Sequence, residues 1–196
     1  MDSENSFARL IAPVQGRMIE TVWRVLRHSQ DAEDALQNAL TTVWQQRARI
    51  ESHAAPHALI LKICADSAID QFRRRRRDKV DAAPLEDCHP SARPPPVDDA
   101  IERETLEIVM AAIARLSPNQ ATAVVMRCIQ GESDAAIAAA LGCGTETVRE
   151  HLQRGRERLS RMLGNLAPRG GSLSCRMSPD HTVGRSFGHK ALENER

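Results

Sequence analysis

The chain has 196 residues, with 27 Lys and Arg against 26 Asp and Glu, a formal net charge of +1. That length holds one or two small domains, and a near-neutral balance leaves any nucleic-acid binding to local basic patches. Aromatic residues are only 3% of the chain while Ala and Arg are plentiful, which favours helix over sheet and predicts an all-α fold.

No run is long enough to span a bilayer, and the first residues lack the charged-then-apolar pattern of a signal peptide, so membrane insertion is not expected. The cysteines number five, are scattered and lack CxxC spacing. Cys64, Cys128 and Cys143 stand in apolar contexts and are expected to be small core residues of a reduced, cytoplasmic protein. Cys88, His89, Cys175, His181 and His189 lack zinc-ligand spacing, so no metal and no cofactor is expected. The chain has no Gly-rich phosphate loop and no recognisable Ser/His/Asp set, which argues against an enzyme.

Residues 1–16 read as a short leader. A helical stripe of Met18, Val22, Val25 and Leu26 follows, with Trp23 beside it. Asp31-Ala32-Glu33-Asp34 then opens the most periodic segment, with Ala32, Ala35, Leu36, Ala39, Leu40, Val43 and Trp44 on one side to about Gln46. Its acidic first turn suits the helix dipole, and the same carboxylates could dock a basic partner. Residues 47–55 read as a loop.

Pro56 fits the first position of a third helix, lined on one side by Leu61, Cys64, Ala65, Ala68 and Phe72. It runs out in Arg73-Arg74-Arg75-Arg76-Arg77. Five consecutive arginines point all round a helix, which makes a concentrated phosphate-binding site; the alternative is a solvated helix end at the negative C-terminus. Residues 80–100 hold Pro84, Pro90 and Pro94-Pro95-Pro96 among acidic side chains. They read as a flexible, Pro-rich acidic linker between two small helical domains.

The second domain is expected from Ile101, with a helix carrying Leu106, Val109, Met110, Ile113 and Leu116. Ser117-Pro118-Asn119-Gln120 reads as a capping box that starts the next helix, which ends at Gly131. Ser133 and Asp134 then offer caps to a short Ala-rich helix broken at Leu141-Gly142-Cys143-Gly144, and an Arg-rich helix begins near Thr145. This is the helix-turn-helix pattern, whose second helix can enter a DNA major groove.

On that second helix Val148, Leu152, Gly155 and Leu159 share the inner stripe. Thr147, Arg149, Glu150, His151, Gln153 and Arg154 are the candidates for base edges, and Arg156, Arg158 and Arg161 for phosphates. The alternative is a solvated surface laced by the pairs Glu150/Arg154 and Glu157/Arg161. Three outward glutamates oppose the phosphate field, so the helix should bind DNA weakly unless a partner delivers it. Residues 164–196 lack periodicity and read as a mobile tail.

Two helical domains, one with DAEDALQ and the arginine helix, the other with RLSPNQ and LGCGTETV, resemble the extracytoplasmic-function (ECF) sigma factors of bacterial RNA polymerase. The resemblance covers about residues 17–79 (region 2-like) and 101–163 (region 4-like). It implies a promoter-specificity subunit without catalysis of its own. It implies docking of Asp31, Glu33, Asp34, Gln37, Asn38 and Thr41 on the β′ clamp helices of core polymerase, with the β flap as a second contact. Lys62, Asp66, Asp70 and Arg73 to Arg77 (Arg73, Arg74, Arg75, Arg76, Arg77) would melt and hold the −10 element, and residues 47–55 would cradle a flipped base. Thr145, Thr147, Arg149, Glu150, His151, Gln153, Arg154 and Arg158 would read the −35 element. An anti-sigma factor is the implied inhibitor.

The chain departs from the family pattern at Leu59, Leu61 and Leu40, where aromatics are usual, and at Gly144, where a capping Ser is usual. The alternative function is a self-sufficient helix-turn-helix regulator of the response-regulator output type. That reading needs a receiver domain, and the first half lacks the alternation of strands and helices a receiver would show.

Overall fold

The structure is a computed structural model that describes the backbone of residues 2–81 and 97–164, with side chains from Ser6 to Asp78 and from Glu104 to Gly164. Among the described residues there are helices and turns and no strand, as the composition predicts. The helices run α1 (Asp2–Ile11), α2 (Gln15–Leu26), α3 (Ser29–Gln45), α4 (Arg47–Glu51), α5 (Pro56–Asp81), α6 (Val97–Ala114), α7 (Pro118–Cys128), α8 (Asp134–Leu141) and α9 (Thr145–Leu163).

The expected leader is instead largely helical and built into the core. Ile11 and Val14 are buried, Phe7 and Leu10 pack against the cluster, and Ser6 Oγ donates to Glu51 Oε1 at 2.6 Å. The cause is legible: residues 7, 10, 11 and 14 follow helical apolar spacing. Phe7 meets the Trp44 ring edge-on (centroids 5.2 Å, 82°), and the Arg47 guanidinium lies 4.7 Å over the same ring.

The expected 47–55 loop contains the single-turn α4, held by the fully buried Ile50. The 80–100 linker is shortened at both ends, because α5 reaches Asp81 and α6 starts at Val97. Its remainder, and the tail beyond Gly164, lie outside the described residues.

α5 is the spine of the molecule. α2 and α3 pack on one side of it, and α6, α7 and α8 on another. Besides the expected stripe, Leu59, Ile63 and Ile69 are also buried, at 5%, 8% and 2% exposure. A helix apolar on more than one side has to be enclosed. Each such Leu or Ile stabilises the fold by about 1.5–3 kcal/mol when buried. The two halves, expected to be separate globules on a tether, therefore share one continuous hydrophobic cluster from Ile11 to Leu152.

Two smaller expectations fail. The Ser117 side chain makes no cap hydrogen bond, and Gln120, its expected capping-box partner, is buried with Oε1 unpartnered. Cys128, expected in the core, is exposed at the end of α7, and Cys143 is half-buried. Cys64 does sit inside, its thiol donating to Met18 O at 3.4 Å, and burial pushes its pKa up to about 12.

Candidate nucleic-acid and partner interfaces

The helix-turn-helix is assembled from caps and one close approach. Ser133 Oγ accepts from the Ala136 N–H at 3.2 Å and starts α8. Gly142 ends it at φ +67, the left-handed corner glycine takes without strain. α9 then starts from Gly144, which offers no side-chain cap. Val148 and Leu152 are buried, and Gly155 lets α9 close on α7, where a Cβ would lie 3.1 Å from Val124 Cγ2.

Thr145, Thr147, Arg149, Glu150, Gln153, Arg154 and Arg158 are exposed on the outer side of α9, as are Arg156 and Arg161. Of the expected base-reading set His151 differs: it is half-buried, with Nδ1 enclosed and without a partner. Arg149 bonds Glu146 at 2.7 Å and approaches Asp134 of α8 at 3.6 Å. Glu146 foremost, and Asp134 less, raise its already high pKa, so it is a fixed cation. Glu150 and Arg154 do pair, at 3.1 Å. Glu157 instead takes Gln153 on its carboxylate, at 3.1 Å, while Arg161 donates to the Glu157 carbonyl at 3.4 Å.

The second surface lies on α5. Lys62, Asp66, Asp70 and Arg74 face a cleft of about 570 Å³ whose other walls include Gln46, Arg49 and His53 below and Asn119 and Ala139 to Gly142 above. Lys62 pairs with Asp66 at 2.8 Å, and Arg73 with Asp70 at 3.3 Å. Further along, Arg73, Arg74, Arg76 and Arg77 line an open cleft of about 670 Å³ together with Arg115, at the far end of α6. Nothing in the sequence singles out Arg115, one cation after a helix with no pattern around it.

Arg75 leaves this set. At 100° per residue at least one of five consecutive arginines must face inward, and here Arg73 and Arg75 are both half-buried. Arg75 reaches Asp31 Oδ2 at 3.5 Å and Glu107 Oε1 at 3.2 Å. Asp31, which also accepts from Gln71 Nε2 at 3.2 Å, is thereby drawn off the outer face of α3.

The rest of the third surface is intact. Glu33, Asp34, Gln37, Asn38 and Thr41 are exposed on one side of α3, while Ala32, Ala35, Ala39 and Val43 anchor the other. Among the described residues no group of three or more His, Cys, Asp or Glu could hold a metal, and no helix is long and apolar enough to cross a membrane.

The chain as a whole is similar to known proteins. The family description for sigma-70 region 2 matches residues 10–78, and that for sigma-70 region 4 matches residues 106–159. The ECF RNA polymerase sigma factor SigM of Mycobacterium tuberculosis is 36% identical over 140 residues, 71% of this chain and 68% of the relative. The RNA polymerase sigma factor CarQ of Myxococcus xanthus is 31% identical over 164 residues, 83% of this chain and 90% of the relative. The fold resembles that of CnrH in its complex with the cytosolic domain of CnrY, with a TM-score of 0.53 at 17% identity, covering 84% of this chain and 91% of that one. The matched regions and the identity to both relatives lead to one assignment: the chain belongs to the sigma-70 family, among its ECF sigma factors.

Proposed function

We propose that α3 supplies the polymerase grip of this sigma factor through Glu33, Asp34, Gln37, Asn38 and Thr41, against the β′ clamp helices of core polymerase. α5 handles the −10 element through Lys62, Asp66, Asp70, Arg73, Arg74, Arg76 and Arg77. α9 reads the −35 element through Thr145, Thr147, Arg149, Glu150, Gln153, Arg154 and Arg158, with its half of the chain held near the β flap. The bond-forming chemistry belongs to the polymerase, the protein acts where the polymerase is, in the cytoplasm, and an anti-sigma factor is the expected inhibitor.

The observation that carries this reading is the pairing of an uncovered polar face on α3 with an uncovered outer side on α9. Neither is required by the core, whose contacts lie on the opposite stripe of each helix. Asp34 is exposed and has no partner among the described residues, so Asp34→Arg should leave the helical circular dichroism and melting temperature unchanged. The variant should fail to be retained by immobilised core polymerase. Normal retention would sink the docking assignment.

A further inference from the structure

Several arginines of this chain are answered by a carboxylate: Arg17 by Glu132, Arg127 by Asp134, Arg154 by Glu150. Arg74, Arg76, Arg77, Arg115 and Arg158 are not. Each is exposed, and its side chain has no partner among the described residues. Arg74, Arg76, Arg77 and Arg115 line the same cleft of about 670 Å³, the first three from α5 and the last from the end of α6.

The position of Arg115 is fixed by its neighbour across the cleft. Arg73 donates from Nε to the Ala114 carbonyl at 3.0 Å and from Nη2 to the Leu116 carbonyl at 3.2 Å, gripping the backbone on both sides of Arg115. The same bonds satisfy carbonyls at the C-terminal end of α6, whose partial negative charge would otherwise repel an anion. Asp70, the one carboxylate among the described lining residues, pairs with Arg73 Nη1 at 3.3 Å. The α6 wall between the cations is Ala111 and Ala114, whose short side chains leave the space open. Arg115 also lines a second cleft, of about 250 Å³, with Arg158, Arg161 and Met162 of α9. Two basic clefts therefore meet at one side chain.

Like charges gathered in this way repel one another, and a polyvalent anion relieves the repulsion. Guanidinium forks match phosphate oxygens two at a time. A single phosphate engages one or two of these arginines, whereas a chain of phosphates can reach from the α5 wall to Arg115. The larger cleft falls within the about 300–1,000 Å³ typical of small-ligand sites. Its cations come from two helices that face each other, which suits a short, flexible anion better than a stiff duplex.

We propose that the cleft between α5 and α6 binds a linear oligophosphate of three or more phosphates, gripped by Arg74, Arg76 and Arg77 on one wall and Arg115 on the other. Arg158 and Arg161 receive the end of a longer chain, and Arg73 is a positioning residue. The triphosphate tail of a nucleotide and an inorganic polyphosphate share this chemistry. Arg74, Arg76 and Arg77 are also proposed to handle the −10 element, so the bound anion displaces a DNA strand from them. That consequence rests on the proposed role of α5; the site itself rests on the clefts.

The test titrates the full chain by calorimetry with phosphate, tripolyphosphate, ATP and long-chain polyphosphate, at about 0.15 M salt in EDTA. Tripolyphosphate should bind at least about tenfold more tightly than phosphate. Arg115→Ala should melt like the native chain and weaken tripolyphosphate binding about tenfold. Arg24→Ala removes the same charge from the surface of α2, where Arg24 pairs with Glu20 outside both clefts, and should weaken it less than about twofold. Equal losses in the two variants would show attraction by net charge alone and overturn the site, as would equal affinity for phosphate and tripolyphosphate. Tighter binding of ATP than of tripolyphosphate identifies a nucleotide as the occupant, and tighter binding of the long chain an inorganic one; either upholds the site.

A competition arm separates the site from the reading of α5. Tripolyphosphate should displace a fluorescent single-stranded oligonucleotide from the native chain, and about tenfold more should be needed with Arg115→Ala. A chain that binds tripolyphosphate through Arg115 but no oligonucleotide refutes the role of α5 and upholds the site. A chain that binds the oligonucleotide but not tripolyphosphate does the reverse.

Discussion

Replacing Gly155 by Leu probes how closely α9 is pressed on α7. A Cβ at this position lies 3.1 Å from Val124 Cγ2 and 3.8 Å from Leu116 Cδ1, where carbon atoms ordinarily rest at about 3.5–4.0 Å. Val124 is buried at 4% exposure and β-branched, so it has little rotamer freedom with which to retreat. For Ala, the gain in helix propensity of about 1 kcal/mol opposes a strain of similar size, and the melting temperature should stay near the native value. Leu pushes three further carbons into the same gap. Overpacking of this kind costs about 1–3 kcal/mol, so a net loss of about 2 kcal/mol is expected. At about 2–4 °C per kcal/mol for a chain of this size, Gly155→Leu should melt about 4–8 °C lower in a circular dichroism scan. A Leu variant melting at or above the native temperature would show that α9 does not lie against α7 as described.

Two further outcomes follow from single contacts. Ser133→Ala removes the oxygen that accepts from Ala136 N–H and should cost about 1 kcal/mol, read as a drop in the urea midpoint with unchanged slope. Cys64 keeps its proton in the folded chain up to about pH 12, while the ordinary value for a thiol is 9.0. The unfolded chain therefore gives up that proton first, so this stabilisation is complete below pH 9 and lost as pH rises toward 12. Between about pH 8 and pH 10 the native chain should lose about 1.4 kcal/mol more than Cys64→Ala in urea melts; parallel losses would contradict the burial of the thiol.

The helices proposed to carry function are legible because each is amphipathic and has a clear start or stop. The Ala and Val stripe of α3 reads at helical spacing, Pro56 announces α5, and Ser133 and Gly142 bracket α8. What escaped was packing between distant segments. The 7, 10, 11, 14 spacing that folds α1 inward was present but short. Leu59 and Ile63 sit one turn apart on α5, yet only the arrival of α7 and α8 shows that they form a second buried side. The sequence puts Arg75 and Asp31 on two different outward surfaces, and the structure pairs them. Charge in sequence does not say which of five neighbouring arginines turn inward.

On the outer side of α9, Glu150 bonds Arg154 and Gln153 bonds Glu157, all within the one helix. Substitutions at these positions are nearly free of consequence for folding, so preference for a DNA sequence can drift by small steps while the scaffold stays intact. α5 has no such latitude, since nearly every turn of it answers to a neighbour. Divergence between related chains of this kind should therefore concentrate on the former surface, with new target sites acquired far faster than new architectures.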